Sequence, residues 1–281
     1  MKTTKLLSGK SIPVLGQGTW RLGEDAAKRQ AEIDGLIIGL DLGMTLIDTA
    51  EMYGDGGAEK VVGKAIQGRR DDVYLVSKVY PHHASAKGTI EACKRSLERL
   101  KTDYLDLYLL HWPGSVPLTE TLSAFKLLKK EGFILDYGVS NFDLKGMQKA
   151  VALPGGNEIA TNQVLYNLVN RGIEWDLLPW SRENALPVMS YSPIETSTVH
   201  QRGFLDHPVL TSIGEQYNAT PAQIAIAWLI RQGVIVIPKA SNPKHIHENR
   251  NALDIVLKTA DMDLLDQAFP PPTHQVPLAM R

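Results

Sequence analysis

The sequence predicts an α/β fold, a single (β/α)8 TIM barrel over residues 1–281 with an N-terminal β-hairpin and a short C-terminal tail. Three observations lead to this prediction. The chain has 281 residues, which is near the length of one such barrel. Short apolar segments alternate with helical patterns about eight times, which indicates parallel strands joined by crossovers. Polar residues follow almost every apolar segment, and in a barrel those strand ends meet at one mouth.

Short apolar runs bounded by polar or turn residues predict eight strands. They cover residues 16–20, 45–48, 73–77, 105–110, 137–139, 160–163, 187–189 and 234–237. A hairpin precedes them, with strands at residues 5–7 and 12–15 and a tight turn at residues 8–10. No linker, low-complexity tract or strong repeat divides the chain, so we expect one domain.

Helices between the strands are predicted by apolar residues spaced three and four apart. Two such faces are formed by Ile33, Leu36, Ile37 and Leu40, and by Ile90, Cys93, Leu97 and Leu100. A later helix should begin at Thr220, because Thr220-Pro221-Ala222-Gln223 has the form of a capping box with proline at the first helical position.

A doubly wound sheet would alternate in the same way, so the residues that follow the strands decide between the two folds. No strand is followed by G-x-G-x-x-G: Gly16-Gln17-Gly18 begins the pattern, but residue 21 is arginine. Tyr74 and Lys78 have the spacing of the short-chain dehydrogenase pair. That pair works on a helix, whereas on a strand the two residues lie ~13 Å apart.

Composition excludes several function classes. The 30 basic and 31 acidic residues balance, and no basic stripe suggests a nucleic-acid partner. The N-terminal apolar run is too short for a signal peptide, and no run approaches the ~18 residues of a membrane span. One cysteine, Cys93, cannot form an intrachain disulfide, so we expect a cytoplasmic protein. Paired histidines at residues 82–83 and 245–247 lack further ligands, so we expect no metal.

Hydrogen-bonding or charged residues stand at seven strand ends. In chain order they are Asp48, Lys78, His111, Ser140-Asn141, Asn162-Gln163, Tyr191-Ser192 and Lys239. Any one of them alone is typical of a capping residue. Seven in the same position of successive strands indicate a shared site at the barrel mouth.

Four of the polar residues suggest acid–base chemistry. Asp48 and Lys78 end neighbouring strands, which lie ~4.8 Å apart, so the two side chains can pair. Tyr53 follows Asp48 by five residues, and a desolvated lysine beside a tyrosine stabilises phenolate and lowers the pKa of the phenol. A carbonyl oxygen between this phenol and His111 would be polarised for hydride attack. A buried ion pair beside a core tyrosine explains the same residues equally well.

The ordered motifs resemble those of the aldo-keto reductases over nearly the whole chain, and most closely those of short bacterial members, the methylglyoxal reductases and 2,5-diketo-gluconate reductases. The motifs are Gly16-Gln17-Gly18-Thr19-Trp20, Leu46-Ile47-Asp48-Thr49-Ala50-Glu51-Met52-Tyr53-Gly54, Ser77-Lys78, Leu109-Leu110-His111-Trp112-Pro113, Tyr137-Gly138-Val139-Ser140-Asn141-Phe142, Asn162-Gln163, Tyr191-Ser192-Pro193 and Ile237-Pro238-Lys239.

The resemblance implies NADPH-dependent reduction of aldehydes and ketones, including methylglyoxal-type aldehydes, with Tyr53 as general acid. Asp48 and Lys78 would tune the Tyr53 pKa, and His111 would orient the carbonyl. The substrate pocket would be lined by Trp20, Tyr80, His111 and Trp112. The implied cofactor contacts are Gly18, Thr19, Trp20, Asp48, Ser140, Asn141, Gln163, Tyr191, Ser192, Pro193, Ile194, Lys239, Ser241, Asn242, His245, Glu248 and Asn249.

One position departs from the family pattern and bears on cofactor choice. The family often has arginine where this chain has His245, and histidine is only partly charged at neutral pH. The neighbouring Lys244 is expected to point elsewhere. We therefore predict a weaker preference for NADPH than in arginine-bearing relatives, with NADH as the lesser alternative.

The partner expected from the resemblance is a small carbonyl compound bound by a monomer, with a dimer as the alternative. Only nine residues follow the prolines at 270–272, and this short tail predicts an open, permissive mouth. Some relatives of this barrel instead serve as cofactor-binding regulatory subunits of potassium channels. All four catalytic positions are present here, which favours an enzyme.

Overall fold

Eight parallel strands form the centre of the fold in the computed structural model, which describes residues 2–195 and 201–281. Two further strands pair as an antiparallel N-terminal hairpin. The ten strands are β1 (Thr3–Lys5), β2 (Ser11–Pro13), β3 (Gly16–Gly18), β4 (Leu46–Asp48), β5 (Tyr74–Val79), β6 (Leu105–Leu110), β7 (Ile134–Ser140), β8 (Ile159–Leu165), β9 (Val188–Tyr191) and β10 (Ile235–Val236).

The large sheet curls so that its first and last strands meet. Neighbouring strands follow chain order from β3 to β10. Leu15 and Val236 form a parallel bridge across the join, and the Gly18 N–H donates to the Pro238 carbonyl at 3.0 Å. The sheet is thus a nearly closed parallel barrel, which confirms the predicted fold class.

Helices follow the strands and surround the barrel. They are α1 (Arg29–Asp41), α2 (Gly57–Ala65), α3 (Ala86–Leu100), α4 (Leu118–Lys130), α5 (Leu144–Val151), α6 (Leu177–Glu183), α7 (Gln201–Leu205), α8 (Pro208–Tyr217), α9 (Pro221–Arg231), α10 (Pro243–Asn251) and α11 (Thr259–Ala268). The capping box predicted at Thr220 is present at the start of α9. In the ranges described, no helix is both long and apolar enough to cross a membrane.

Two apolar layers hold the barrel together, because side chains alternate between the two faces of a strand. The inner layer contains Leu46, Val76, Leu107, Leu109, Ala160, Met189, Ile235 and Ile237. Leu6 and Ile12 of the hairpin region join this inner cluster. Lys10 donates to the Leu135 carbonyl near the start of β7, so the hairpin covers the amino end of the barrel.

The helix faces predicted from the sequence pack as expected, with small differences in depth. Leu36 and Leu40 of α1 are buried, whereas Ile33 and Ile37 are only partly buried. In α3 the three buried members of the predicted face are Cys93, Leu97 and Leu100.

Several predicted strand ends are wrong by a few residues, although 105–110 is correct. The hairpin strands begin earlier than predicted, because the turn already starts at Leu6, whose N–H donates to the Lys10 carbonyl. The strand predicted at 160–163 continues to Leu165, which pairs with Tyr191 of β9. Asn162 and Gln163 are therefore not strand ends, and the Asn162 side-chain amide instead donates to the Phe142 carbonyl.

Candidate active site

Asp48, Lys78 and Tyr53 meet at the carboxyl end of β4 and β5. The Lys78 Nζ lies 2.7 Å from Asp48 Oδ2 and 3.2 Å from the Tyr53 hydroxyl, and it also donates to the Thr49 carbonyl at 2.8 Å. Asp48 and Lys78 are fully buried, and Tyr53 is 8% exposed. The expected pairing across neighbouring strands is present, and the loop after β4 returns Tyr53 to that pair.

Burial and charge have opposite effects on the two groups that could exchange a proton. Burial raises the pKa of Tyr53 above its usual value, and the positive charge of Lys78 offsets only part of that rise. Burial alone would lower the pKa of Lys78, but the negative charge of Asp48 and the hydrogen bonds to Asp48 and Tyr53 outweigh that effect, so the pKa of Lys78 is raised. The expected net lowering of the Tyr53 pKa is therefore wrong, because desolvation of the phenol dominates. Tyr53 is a neutral phenol beside a cationic lysine.

His111 completes the group from the end of β6. Its backbone N–H donates to the Val79 carbonyl at 3.0 Å, and its ring lies edge-on to Tyr53 with centroids 5.7 Å apart. Burial, with a smaller contribution from the charge of Lys78, lowers the pKa of His111 to about 2, so the imidazole is neutral. Its Nδ1 is buried and has no partner among the residues described. Because an unpartnered buried N–H is costly, we assign the ring proton to Nε2.

A hydrogen-bond network links this group to residues that the resemblance assigned to the nicotinamide. Gln163 Nε2 donates to Asp48 Oδ1 at 2.7 Å, and the Ser140 hydroxyl donates to the Gln163 carbonyl at 2.8 Å. Asn141 Nδ2 donates to Ser140 Oγ at 3.1 Å and its Oδ1 accepts from the Tyr191 hydroxyl at 2.9 Å. The structure thus brings all four residues together beside the Asp48–Lys78 pair.

Aromatic rings line the space above Tyr53. Trp20 packs edge-on against Tyr53 with centroids 5.0 Å apart. The ring centroids of His111 and Trp112 lie 4.8 Å apart, and those of Trp112 and Tyr80 lie 5.7 Å apart. Trp20 is 49% exposed, so one wall of this pocket faces solvent. All four residues expected around the carbonyl therefore belong to one continuous series of ring contacts that includes Tyr53.

Gly18 and Thr19 lie at the join of the barrel. A Cβ on Gly18 would be 2.7 Å from the Ile237 carbonyl, so a larger residue would separate the strands. Thr19 is fully buried and its hydroxyl donates to the Asp48 carbonyl at 2.9 Å. Both residues support the backbone around Asp48, and their role in cofactor contact stays a prediction.

The segment 192–195 runs along the barrel mouth after β9. Ser192 has a left-handed backbone with φ 48°, and its carbonyl accepts from Asn167 Nδ2 at 2.9 Å. Pro193 is buried and Ile194 is partly buried. Glu195 is also buried and accepts from Asn170 Nδ2 at 2.9 Å, which fixes the end of this segment.

The C-terminal tail reaches the same region, which the expectation of an open mouth did not anticipate. The Arg281 guanidinium pairs with Glu195, and the Arg281 backbone N–H lies 3.4 Å from the Tyr191 hydroxyl. Along the way Gln275 donates to Asp176 at 2.8 Å. The tail therefore borders the Tyr191 side of the mouth.

The residues expected around the adenosine phosphate lie on the surface at the start of α10. Lys239 Nζ is 3.4 Å from Ser241 Oγ. His245 Nδ1 is 2.8 Å from Glu248 Oε2, and Lys244 Nζ is 3.8 Å from Glu248 Oε1. The helical spacing therefore brings the side chains of Lys244 and His245 to one carboxylate, and the expectation that Lys244 points away from a bound phosphate stays a prediction.

Two asparagines fix the ends of the same surface. Asn242 caps α10, with its Oδ1 accepting from the Lys244 N–H at 2.9 Å, while Asn249 is buried further along the helix. The side chain of Lys239 and the positive end of the α10 dipole could attract an anion. In the part of the chain that the structure describes, no three ligand-type side chains cluster as a metal site.

Two residues of the site were missed in the sequence. Glu51 stands between Asp48 and Tyr53, and it is buried with hydrogen bonds to the segment after β5. Its position in the motif was a visible signal, because a charged residue so close to a buried strand end needs a partner. Glu195 carried no comparable signal, since its partners come from distant parts of the chain.

A parallel barrel with a buried tyrosine, lysine, aspartate and histidine at its carboxyl mouth defines an oxidoreductase of the α/β-barrel class. Residues 14–269 match the model of the Aldo/keto reductase family. The chain belongs to that family.

Similarity extends to named relatives and solved structures. The chain is 51% identical to "Methylglyoxal reductase YeaE" of Escherichia coli K12, over 96% of this chain and 95% of that protein. It is 35% identical to "Methylglyoxal reductase DkgB" of Yersinia pestis, over 91% of this chain and 92% of that protein. An aldo/keto reductase from Klebsiella pneumoniae in complex with NADP and acetate superposes with a TM-score of 0.97 at 48% identity, covering 100% and 99% of the two chains. A second structure from that organism contains NADPH and has a TM-score of 0.96 at 48% identity, with the same coverage.

Proposed function

We propose that this protein reduces aldehydes and ketones to alcohols with NADPH, using Tyr53 as the general acid. The observation that carries the proposal is the buried 3.2 Å contact between the Tyr53 hydroxyl and Lys78 Nζ, with Lys78 2.7 Å from Asp48. A phenol held beside a cation can pass its proton to a carbonyl oxygen as negative charge develops there. Family membership and the NADP-bound neighbours support the same reaction.

Each of the four residues has a distinct part in the proposed reaction. Tyr53 is protonated at neutral pH, because burial raises its pKa above the already high value of a phenol, so it can donate. The phenolate that remains forms next to cationic Lys78, which Asp48 holds in place. The neutral His111 would donate its Nε2–H to the same carbonyl oxygen and so orient the substrate. Bound NADPH would supply the hydride for the carbonyl carbon, from the 4-pro-R position that the family resemblance implies.

The residues beside Tyr53 fit a nicotinamide. Ser140, Asn141 and Gln163 present hydroxyl and amide groups side by side, which suit the donors and acceptor of a carboxamide. The partly buried ring of Tyr191 would stack on the nicotinamide. Further contacts would come from Gly18, Thr19, Trp20, Asp48 and the 192–194 segment, and at the adenosine end from Lys239, Ser241, Asn242, His245, Glu248 and Asn249.

A modest preference for NADPH over NADH follows from the surface charges. Lys239 and the start of α10 would attract the 2′-phosphate. His245 would contribute less than an arginine, because an imidazole lacks the bidentate donor set of a guanidinium. Its Nδ1 also already contacts Glu248. NADH is therefore a weaker alternative rather than an excluded one.

Small carbonyl compounds of broad type are the proposed substrates, with methylglyoxal among them. The aromatic walls around Tyr53 suit both alkyl and aryl groups. The similar proteins from Escherichia coli and Yersinia pestis are named for methylglyoxal reduction. The proposal extends to a cytoplasmic monomer with one domain over residues 1–281. The buried state of Cys93 is compatible with a reducing compartment.

NADPH oxidation with methylglyoxal and with 4-nitrobenzaldehyde tests the proposal. We expect both aldehydes to be reduced, and kcat/KM to be higher with NADPH than with NADH. Tight NADPH binding without turnover of any carbonyl would contradict it and favour a cofactor-binding regulatory protein. Equal kcat/KM for the two cofactors would contradict the NADPH preference alone.

A further inference from the structure

Glu51 is a buried carboxylate at the barrel mouth that the proposed reaction does not use. It lies between Asp48 and Tyr53 in the loop after β4, and its side chain is only 5% exposed. Its backbone N–H lies 3.4 Å from the Lys78 carbonyl, so its main chain is tied to the strand that carries the lysine. A carboxylate withdrawn from water requires hydrogen-bond donors, and its partners therefore indicate what it holds.

Both partners of the Glu51 side chain belong to one turn after β5. The Tyr80 backbone N–H donates to Glu51 Oε1 at 2.8 Å, and His83 Nδ1 lies 3.0 Å from the same oxygen. The residues between them form the 3-10 turn Pro81–His83. Glu51 thus fixes this turn to the loop that carries Tyr53.

Tyr80 belongs to this turn, and its side chain links the turn to the residues expected to line the substrate pocket. Its ring meets Trp112 edge-on at 5.7 Å, and Trp112 lies 4.8 Å from His111. The Tyr80 ring also packs against two histidine rings of the turn, with centroid distances of 4.4 Å to His82 and 6.0 Å to His83. A shift of the turn would therefore move the part of the pocket wall that lies beyond the reacting carbonyl.

We propose that Glu51 and His83 are positioning residues that set the wall formed by Tyr80 and Trp112, and thereby the affinity for aromatic relative to small aliphatic aldehydes. The inference rests on the proposed function. An aryl aldehyde must place its ring against this wall, because the carbonyl end is fixed at the catalytic residues. Methylglyoxal is too small to gain much from the wall and is held mainly at its reacting carbonyl.

The experiment compares KM and kcat for 4-nitrobenzaldehyde and methylglyoxal in Glu51→Ala, Glu51→Gln and His83→Ala. In Glu51→Ala we expect KM for 4-nitrobenzaldehyde to rise about tenfold, as for loss of one charge-assisted hydrogen bond. KM for methylglyoxal should change less than about twofold, and kcat should be retained with both aldehydes. Glu51→Gln keeps an acceptor for the Tyr80 N–H and should restore part of the loss.

Glu59→Gln is the matched control, because Glu59 is also a fully buried carboxylate but lies on the helix side of the barrel. Its oxygens accept from Ser77 Oγ at 2.6 Å and pair with Arg99 Nε at 2.5 Å. A fall in thermal stability without a change in the ratio of the two KM values is expected there. NADPH binding measured by tryptophan fluorescence checks folding of every variant.

Different failures remain distinguishable. If the wild-type protein reduces neither aldehyde, the proposed function fails. If it reduces both, but the KM ratio is unchanged in folded Glu51→Ala and in His83→Ala, the positioning role fails. An equal change of the ratio in Glu59→Gln would also overturn it, since the effect would then be one of general stability. Should Glu51→Ala not fold, Glu51→Gln and His83→Ala decide the question.

Discussion

The catalytic end and the adenosine end of the proposed cofactor site differ strongly in burial. At the catalytic end the side chains of Lys78 and Asp48 are 0% and 3% exposed, and they lie 2.7 Å apart. At the adenosine end the side chains of Lys244 and His245 are 76% and 61% exposed. The first set is held by strands and the barrel core, whereas the second lies on one surface helix.

This difference separates what the fold fixes from what single substitutions can change. Hydrogen bonds in a water-excluded site are strong and costly to leave unmade, so the geometry around Tyr53 is coupled to stability. Exposed ion pairs contribute little and are screened by salt. We therefore expect substitutions at the catalytic end to affect folding or kcat, and those at the adenosine end to affect only cofactor choice.

The largest effect is expected when the buried ion pair loses its negative member. Asp48→Asn keeps the shape of the side chain but leaves Lys78 without its charge partner, at a cost of about 3–5 kcal/mol in the free energy of unfolding. Urea denaturation measures this change. Asp41→Asn is the control, because Asp41 pairs with Arg69 on the surface and should cost less than ~1 kcal/mol. Similar losses in the two variants would contradict the expected difference between buried and exposed ion pairs.

Loss of the proton donor should affect the rate and not the fold. Tyr53→Phe removes the hydroxyl that would protonate the carbonyl, and kcat should fall ~10²-fold or more, while NADPH affinity stays within about twofold. Steady-state kinetics and fluorescence titration give the two values. Tyr104→Phe, which changes a tyrosine packed on Arg70, should leave both unchanged. Near-full activity of Tyr53→Phe would rule out its role as general acid.

His111 makes the catalytic end sensitive to acid. The folded-state pKa of about 2 lies below the ~6.5 of an unfolded chain, so below pH ~6.5 the unfolded state binds a proton that the folded state does not. The free energy of unfolding should therefore decrease as the pH is lowered below ~6.5, by up to ~1.4 kcal/mol per pH unit. At pH 5 the loss relative to neutral pH should be about 2 kcal/mol.

Denaturation at pH 7 and pH 5 tests this prediction with His111→Asn. The variant should lose about 2 kcal/mol less than the wild-type protein between the two pH values. His274→Asn, at an exposed position of the tail, should behave as the wild-type protein does. The same pH dependence in all three proteins would show that His111 is not the responsible group.

The arrangement of the catalytic end was largely predictable from sequence. Neighbouring parallel strands have a fixed spacing, so Asp48 and Lys78 at adjacent strand ends had to lie close together. The net direction of the Tyr53 pKa was not predictable, because it depends on how completely the surrounding rings exclude water. The position of Glu51 beside a buried strand end indicated that its carboxylate needs a partner, but not that the partner would lie in the segment after β5.

At the adenosine end the sequence was informative in a different way. The residues 244, 245 and 248 have the three- and four-residue spacings that share a helix face, so their pairing could have been read from the sequence. The approach of Arg281 to Tyr191 could not, since it joins residues 90 apart through an irregular tail. Local periodicity predicts contacts within an element, whereas contacts made by loops and tails depend on the whole fold.

The smallest expected effect is on cofactor choice, and it sharpens the comparison between the two ends. His245→Arg places a permanent charge with a bidentate donor set at the start of α10, so the ratio of kcat/KM for NADPH to that for NADH should rise about tenfold. His247→Arg adds the same charge two residues further along the exposed helix and should raise the ratio far less. Because neither residue touches the barrel core, kcat and the free energy of unfolding should stay the same in both variants. An equal gain from the two arginines would mean that overall surface charge, rather than a defined phosphate contact at residue 245, governs the preference.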